Sequence, residues 1–174
     1  AIRVVNKCKA KVIFDIFGPI ESTEYWEQCK QAIAESPDYV SINYRGIIQH
    51  SDLSSVIQQY DAFFFPTVNE NYGHVIAESL ANSRPVILSK GTTPWDDLDG
   101  KAGKVLSLNN PNQFVKVIEQ YARMNDVEYE NMVLSVKKYF KDKIILDSAI
   151  IGHKKMLSDI IICSKNADKR KHKK

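Results

Sequence analysis

Two glutamates, Glu70 and Glu78, are the residues in this chain whose type and spacing could do chemistry. They lie within the stretch from 62 to 89, where two short apolar runs flank a polar loop and an amphipathic segment. This pattern predicts a strand, a loop, a helix and a second strand. Ligands of parallel sheets bind at the carboxyl ends of the strands, where this loop lies. An ionised carboxylate there could accept two hydrogen bonds from the cis-diol of a ribose or a sugar.

The predicted helix begins near Gly73 and His74, and its first turn could bind a phosphate. The first backbone N–H groups of a helix have no acceptor within the helix, and the helix dipole adds partial positive charge. Glu78 falls in the second turn, and its side chain should lean back toward the helix start. Two alternatives stay open: Glu70 could simply cap the helix, and Glu78 could be a solvated surface residue.

The segment from 66 to 87 reads PTVNENYGHVIAESLANSRPVI. It resembles the signature P-S-x-x-E-x-F-G-x-x-x-x-E-A-x-A-x-G-x-P-V-I of retaining glycosyltransferases with the GT-B fold, of the family 4 type. Glu70 and Glu78 match the two glutamates of that signature. The sequences FGPIE at 17–21 and GTTPW at 91–95 resemble strand-end loops of the same family.

The chain departs from the family pattern within its motifs, including Phe17 in place of a glycine, and at its amino end. Tyr72 stands where phenylalanine is usual, and Ser83 with Arg84 replaces a small residue and a glycine. The segment from 1 to 5 resembles the end of the helix that follows a loop carrying an Arg and a Lys, which hold the donor diphosphate in the family. We therefore expect a carboxy-terminal, donor-binding half, cut within its first βα unit.

The resemblance implies a fold and an activity. The fold is an α/β Rossmann-like three-layer sandwich with a mostly parallel sheet over 1–163, followed by a basic disordered tail at 164–174. The activity is transfer of a hexose from a nucleotide diphosphate sugar, a UDP or GDP sugar by family habit, to a glycan or lipid-linked acceptor in surface polysaccharide biosynthesis. A missing amino-terminal domain would bind the acceptor, so this chain alone should be inactive. The resemblance implies no cofactor and no essential metal.

The same resemblance implies roles for individual residues. Glu70 is the implied catalytic residue, close to the donor sugar hydroxyls and the developing positive charge, and Glu78 is the implied ligand of the ribose diol. The loop Arg45, Gly46 and Ile47 would lie beside the nucleobase, although a plain turn with a solvated Arg45 is an alternative. The further donor-binding positions are Gly18, Asn71, Tyr72, Gly73, His74 and Val75.

Composition and charge agree with a single cytoplasmic domain. The chain has 174 residues, 44% of them apolar, and no run approaches the roughly 20 apolar residues of a membrane span. Cys8, Cys29 and Cys163 are far apart, which favours reduced thiols over a metal site or disulfides. The net charge of +3 divides into +5 over 165–174 and −2 elsewhere, so the body of the chain is no nucleic-acid surface. Contact of the basic tail with anionic lipid at the cytoplasmic face is the alternative to a merely solvated tail.

Local signals predict the remaining elements. Strands are expected over 11–17, 40–44, 62–65, 86–88 and 103–108, and helices over 23–35, 51–59, 111–124, 128–140 and 144–162. Ser22 and Ser51 are the expected N-caps of the first two helices, and Tyr25 should lie on an apolar face. Thr93 and Pro94 should open a short helix, with Asp96 and Asp97 in its first turn. Because acidic residues are common at helix starts, we favour this interpretation of the two aspartates over a metal site.

Two rival functions come from other classes. A noncatalytic nucleotide-sugar-binding module would have the same fold and the same ligand groups. A phosphorylatable receiver domain would need clustered acids at the end of the first strand and an aspartate at the end of the third. Here Gly18 and Pro19 end the first strand and Pro66 ends the third, which argues against the receiver.

Overall fold

The computed structural model of the chain describes residues 1–145. Residues 1–139 form one compact unit, and a second unit begins at Phe140. The predicted helix over 144–162, Cys163, the domain limit at 163 and the basic tail lie outside the described residues, apart from the first two positions of that helix. Within the described part of the chain, no helix has the length and apolar character needed to cross a membrane.

Helices and strands alternate along the chain, as the sequence predicts. The elements in order are α1 (Ile2–Val5), β1 (Val12–Phe17), α2 (Thr23–Ala34), β2 (Val40–Gly46), α3 (His50–Ile57), β3 (Phe63–Phe65), α4 (His74–Ala81), β4 (Val86–Ser89), a 3-10 helix (Asp96–Leu98), β5 (Gly103–Leu106), α5 (Pro111–Ala122), α6 (Asp126–Phe140) and a π-helical turn (Lys141–Ile145).

Over residues 1–145, all the strand pairs are parallel, and they form two sheets. β1 pairs with β2, while β3, β4 and β5 pair in that order. β4 lies at the centre of the larger sheet, and each of its four residues is buried, as expected of a strand covered on both faces. β1 and β3 face each other across the division, and the rings of Phe14 and Phe64 are 5.9 Å apart there.

Among the described residues, two clusters of the apolar core share Phe64. One cluster is centred on Val5, Val40 and Ile42, and Phe64 packs against it from β3. The other joins Ile87 of β4 to the buried face of α5, and Phe64 packs against this cluster as well. The Phe64 side chain of β3 therefore connects the apolar clusters of the two sheets.

The predicted helix starts are partly confirmed. Ser22 is the N-cap of α2, and its Oγ accepts a hydrogen bond from Tyr25 N at 3.2 Å. Tyr25 itself is 67% exposed, although it lines the same cavity as Cys29 and Ala32 of the predicted apolar face. Ser51 is not an N-cap, because α3 begins at His50 and the Ser51 hydroxyl donates to Asp52 Oδ1 instead.

The predicted start of the short helix after β4 needs correction. The short helix after β4 begins at Asp96, because Thr93 Oγ1 accepts from Trp95 N and the chain turns there before the helix starts. Ser83, which replaces the glycine of the family pattern, has a left-handed φ of 60°. Arg84 beside it donates hydrogen bonds to Gln58 O and to the Tyr129 hydroxyl, so this departure ties α4 to neighbouring elements.

Candidate functional site

The loop after β3 is fastened to the loop after β4 at the carboxyl edge of the larger sheet. The Glu70 N–H donates to Thr92 O at 2.9 Å. The hydroxyl of the buried Ser89 donates to Thr67 O and lies 2.9 Å from Thr92 Oγ1. These bonds hold the backbone around Glu70 in a fixed position relative to the sheet.

The start of α4 requires the glycine that the sequence places there. Gly73 has a φ of 76°, and a Cβ on it would lie 2.6 Å from Ile76 Cδ1. Its N–H donates to Glu70 Oε1 at 3.2 Å, and its carbonyl accepts the first helical bond, from Ile76 N at 2.8 Å. The amides of His74 and Val75 come before that first bond and have no acceptor within the helix. Glu70 therefore holds the N-cap residue Gly73, whereas no described side chain accepts from the amides of the helix itself. The catalytic role of Glu70 stays a prediction.

An aromatic group surrounds the same helix start. Trp95 is 3% exposed, and its indole N–H donates to Tyr72 O. The ring of Tyr72 packs edge-on against Trp95 at 5.5 Å and lies 4.9 Å from the His74 ring. Tyr72 is 45% exposed, so it is an aromatic residue at the rim of the helix start. Trp95, from the loop after β4, fixes this rim.

Glu78 faces the loop that follows β2. Its Oε1 lies 3.4 Å from Nδ1 of His50, the first residue of α3. The Glu78 side chain is 30% exposed, whereas that of His50 is 89% exposed. Through His50, the structure thus brings Glu78 close to the loop after β2. Gly46 and Ile47 of this loop are predicted to contact a nucleobase.

The loops after β1 and β2 are joined through their glycines. The Gly18 N–H donates to Gly46 O at 2.9 Å, and the Tyr44 hydroxyl donates to Gly18 O at 2.7 Å. Both glycines have a positive φ, and a Cβ on either would meet no atom within 4 Å. Their backbone therefore borders open space at the carboxyl edge of the smaller sheet, and Ile47 beside them is 69% exposed.

A polar network between the two sheets was missed from the sequence. The Asp15 carboxylate, whose side chain is 5% exposed, accepts hydrogen bonds from Asn43 Nδ2, Arg45 Nε and the Tyr60 hydroxyl at 2.7, 2.8 and 2.7 Å. Arg45 thus forms an ion pair with Asp15. The sequence alone leaves open a plain turn with a solvated Arg45 instead. Burial acts to raise the pKa of Asp15, but the three hydrogen bonds and the Arg45 charge outweigh it and hold the pKa below its usual value.

Replacement of Asp15 by asparagine should destabilise the fold by about 2 kcal/mol at pH 7, because Arg45 and Tyr60 lose a charged acceptor. The lowered pKa means that the carboxylate contributes stability above the unfolded value of about 3.9, and that this contribution is lost as the pH falls through the folded value. The free energy of unfolding, measured in urea from pH 7 to pH 2, should therefore fall more steeply with acid in the parent than in Asp15→Asn. The control Asp38→Asn, at an exposed position, should keep the parental pH profile. Equal acid slopes in Asp15→Asn and the parent would contradict this role.

The two aspartates near the start of the 3-10 helix have structural partners. The Gly91 N–H donates to both carboxylate oxygens of Asp96, and the Tyr139 hydroxyl donates to Asp97 at 3.1 Å. Among the described residues, no group of three or more His, Cys, Asp and Glu side chains could hold a metal ion. The expectation that no metal is essential stays a prediction.

The sequence of the chain matches a known enzyme family. Residues 1–123 fit the family model described as glycosyl transferases group 1. The chain belongs to this family. A comparison with curated proteins gives no match.

Solved structures similar to this group 1 glycosyltransferase chain share its fold. TarM of S. aureus has a TM-score of 0.73 at 19% identity, over 90% of this chain and 31% of its own. The Anabaena protein HepE, solved with UDP and glucose, has a TM-score of 0.71 at 15% identity, over 93% of this chain and 43% of its own. The pneumococcal O-GlcNAc transferase GtfA, solved with UDP and GlcNAc, has a TM-score of 0.64 at 18% identity, over 86% of this chain and 30% of its own. These likenesses confirm the predicted Rossmann-like α/β fold of the GT-B type, and the chain spans less than half the length of each structure.

Sequence reasoning missed three residues near the predicted site, and each had a signal. Asp15 is a lone carboxylate in an apolar strand, which indicates a buried partner. Trp95 follows a proline in a loop otherwise rich in small and polar residues, and His50 lies directly after the predicted nucleobase loop. The partners of these residues come from other elements, so spacing alone did not reveal them.

Proposed function

We propose that this chain is the donor-binding part of a retaining glycosyltransferase of the family 4 type, which transfers a hexose from a nucleotide diphosphate sugar. The observation that carries the proposal is the start of α4, where the His74 and Val75 amides lie at the carboxyl edge of the sheet with Glu70 fixed beside them. Such amides suit a phosphate group. UDP in the HepE and GtfA structures supports a UDP sugar as the donor.

Each proposed role follows from the geometry of one group. The α4 start would bind the diphosphate and stabilise its negative charge as it leaves. Glu78, on the next turn of the same helix, would accept hydrogen bonds from the ribose diol, in competition with His50. Glu70 uses Oε1 to accept from the Gly73 N–H, so Oε2 would serve the donor sugar and the positive charge that develops at the anomeric carbon. The loop around Gly46 would contact the base across the open space beside it.

Calorimetric titration of the 174-residue chain with UDP and GDP tests the proposed site. We expect binding of one nucleotide with a Kd of about 1 mM, and loss of that heat in Glu78→Ala. Glu130→Ala is the matched control, because it removes an exposed helical glutamate from α6 and should leave binding unchanged. No heat with either nucleotide, or an equal loss in both variants, would refute the donor site.

The reaction and its setting are also proposals. The acceptor would be a glycan or a lipid-linked sugar in surface polysaccharide biosynthesis, bound by a further domain, with no metal required. The cytoplasmic location and the lipid contact of residues 165–174 belong to the same proposal. We expect no sugar transfer by the 174-residue chain alone, since it spans 30% to 43% of the compared structures. A noncatalytic nucleotide-sugar module is the alternative, and turnover by the full-length protein would exclude it.

A further inference from the structure

Asn82, at the end of α4, fastens α4 to α3. Its Oδ1 accepts hydrogen bonds from the Ser54 hydroxyl at 2.6 Å and from Gln58 Nε2 at 2.9 Å, and these donors lie on α3 and at its C-cap. Side chains four positions apart lie one turn from each other on the same face of a helix. His50 is therefore one turn before Ser54 on α3. Glu78 is likewise one turn before Asn82 on α4, so this register brings His50 opposite the glutamate.

The contact between His50 and Glu78 changes its character with pH. Nδ1 of His50 lies 3.4 Å from Glu78 Oε1, within the distance of an ion pair. An imidazole changes its charge between about pH 5 and pH 8, and only its charged form donates from both ring nitrogens. Protonated His50 therefore attracts the carboxylate through Nδ1–H. A neutral imidazole has one N–H, which at this exposed position can donate to water from Nε2 and so leaves the carboxylate free.

The charged and titratable neighbours of this pair come from α4, α3 and β2. His74 lies one turn before Glu78 on α4, and its ring packs against the rim tyrosine of the helix start. Asp52 lies two positions after His50, on another face of α3, and Arg45 of β2 is paired with a buried aspartate. Carboxyl and guanidinium groups ordinarily titrate outside the range from about pH 5 to pH 8. Within this group, the two imidazoles are thus the side chains whose charge changes in that range.

We propose that His50 is a positioning residue that makes nucleotide binding at Glu78 depend on pH, an inference that rests on the donor site proposed above. The cis-diol of a ribose engages both oxygens of a carboxylate at once. Protonated His50 holds Oε1 toward α3 and competes with the diol, whereas neutral His50 leaves both oxygens to the ligand. A nucleoside diphosphate should therefore bind about threefold more weakly when His50 is protonated, a modest factor because an exposed ion pair is a weak competitor.

Titration of the isotope-labelled 174-residue chain with UDP in low salt, at about pH 8 and at about pH 5.5, tests this competition through the amide NMR shifts. His50→Gln replaces the imidazole with a side chain that stays neutral, and His74 is present in both chains. The terminal phosphate of UDP also titrates near about pH 6. The quantity compared is therefore the Kd of the variant divided by the Kd of the parent at each pH, because the effect of the phosphate cancels in this ratio. We expect a ratio of about 1 at the higher pH and about one third at the lower pH.

A variant with a fixed charge should show the opposite behaviour. His50→Lys is positively charged at both pH values, so it should bind UDP about threefold more weakly than the parent at the higher pH and about equally at the lower pH. Asp52→Asn is the matched control, because it removes a charge from another face of α3 and should give a Kd ratio of about 1 at both pH values. Positions 50 and 52 are exposed, so all three variants should keep the parental melting temperature within about 2 °C.

The possible results separate the role of His50 from the donor site. A Kd ratio near 1 for His50→Gln at both pH values, or parental affinity of His50→Lys at the higher pH, would overturn the competition and leave the donor site standing. Weaker binding by His50→Gln than by the parent at the lower pH would also overturn it, since His50 would then assist the ligand. No binding of UDP by the parent at the higher pH would refute the donor site, and this inference would fail with it.

Discussion

Glu70→Gln should lower the turnover of the full-length enzyme about 100-fold, while its affinity for the nucleotide sugar changes by about threefold at most. The reason is that glutamine keeps the shape of the side chain and an oxygen that can accept from the Gly73 N–H, now at 3.2 Å from Glu70 Oε1. Only the negative charge is lost, and that charge matters when positive charge develops on the donor sugar. Nucleotide release under saturating donor, with calorimetry for affinity, measures the two effects separately.

Glu70→Ala separates catalysis from the support of Gly73. Alanine removes both the charge and the acceptor of the Gly73 N–H, so this variant should lose about 1 kcal/mol of stability in addition to its activity. Glu70→Gln should keep nearly the full free energy of unfolding. If Glu70→Gln retained turnover while Glu70→Ala lost both turnover and stability, the glutamate would have a structural role only, and the catalytic assignment would fail.

Gly103→Ala should destabilise the fold by about 3 kcal/mol or more. A Cβ on Gly103 would lie 1.8 Å from Val86 O and 2.8 Å from the Val86 carbonyl carbon. These are backbone atoms of the central, fully buried strand β4, so they cannot move aside as a flexible side chain would. Gly103 also has a φ of 156°, which side-chain-bearing residues rarely adopt. The free energy of unfolding in urea measures the loss.

Gly100→Ala is the matched control for this clash. Gly100 lies in the same turn with a φ of 70°, but a Cβ there would meet no atom within 4 Å. Its replacement should cost only the backbone strain, about 1 to 2 kcal/mol. Similar losses for the two variants would show that the contact with Val86 is not what requires glycine at position 103.

The order of elements follows from short-range patterns, and these were predictable. Apolar runs bounded by Pro66 and Pro85 are strands β3 and β4, and the serine at position 22 caps α2, because such signals act within a few residues. The failures also have local causes. Several hydroxyl and acidic residues compete near 51 and near 93, and the hydrogen bonds that each makes in the folded chain decide which one begins the helix.

The candidate site was predictable only where its residues share one segment. Glu70, Gly73 and Glu78 follow one another through a loop and a helix, so their spacing indicates a common site. The partners of Asp15 and Glu78 come from distant segments, and Tyr60 lies 45 positions from Asp15. The gap between β1 and β3 depends on strand order, and no periodicity in the sequence reports that order.

A titration of the isotope-labelled 174-residue chain, followed through its amide NMR shifts, tests the central claim most directly. UDP should move the amide resonances of His74 and Val75, whereas uridine, which lacks the diphosphate, should leave these two unmoved. In Glu78→Gln the same shifts should require a higher UDP concentration. If UDP leaves His74 and Val75 unmoved, or shifts only amides far from the start of α4, then the helix start is not the diphosphate site.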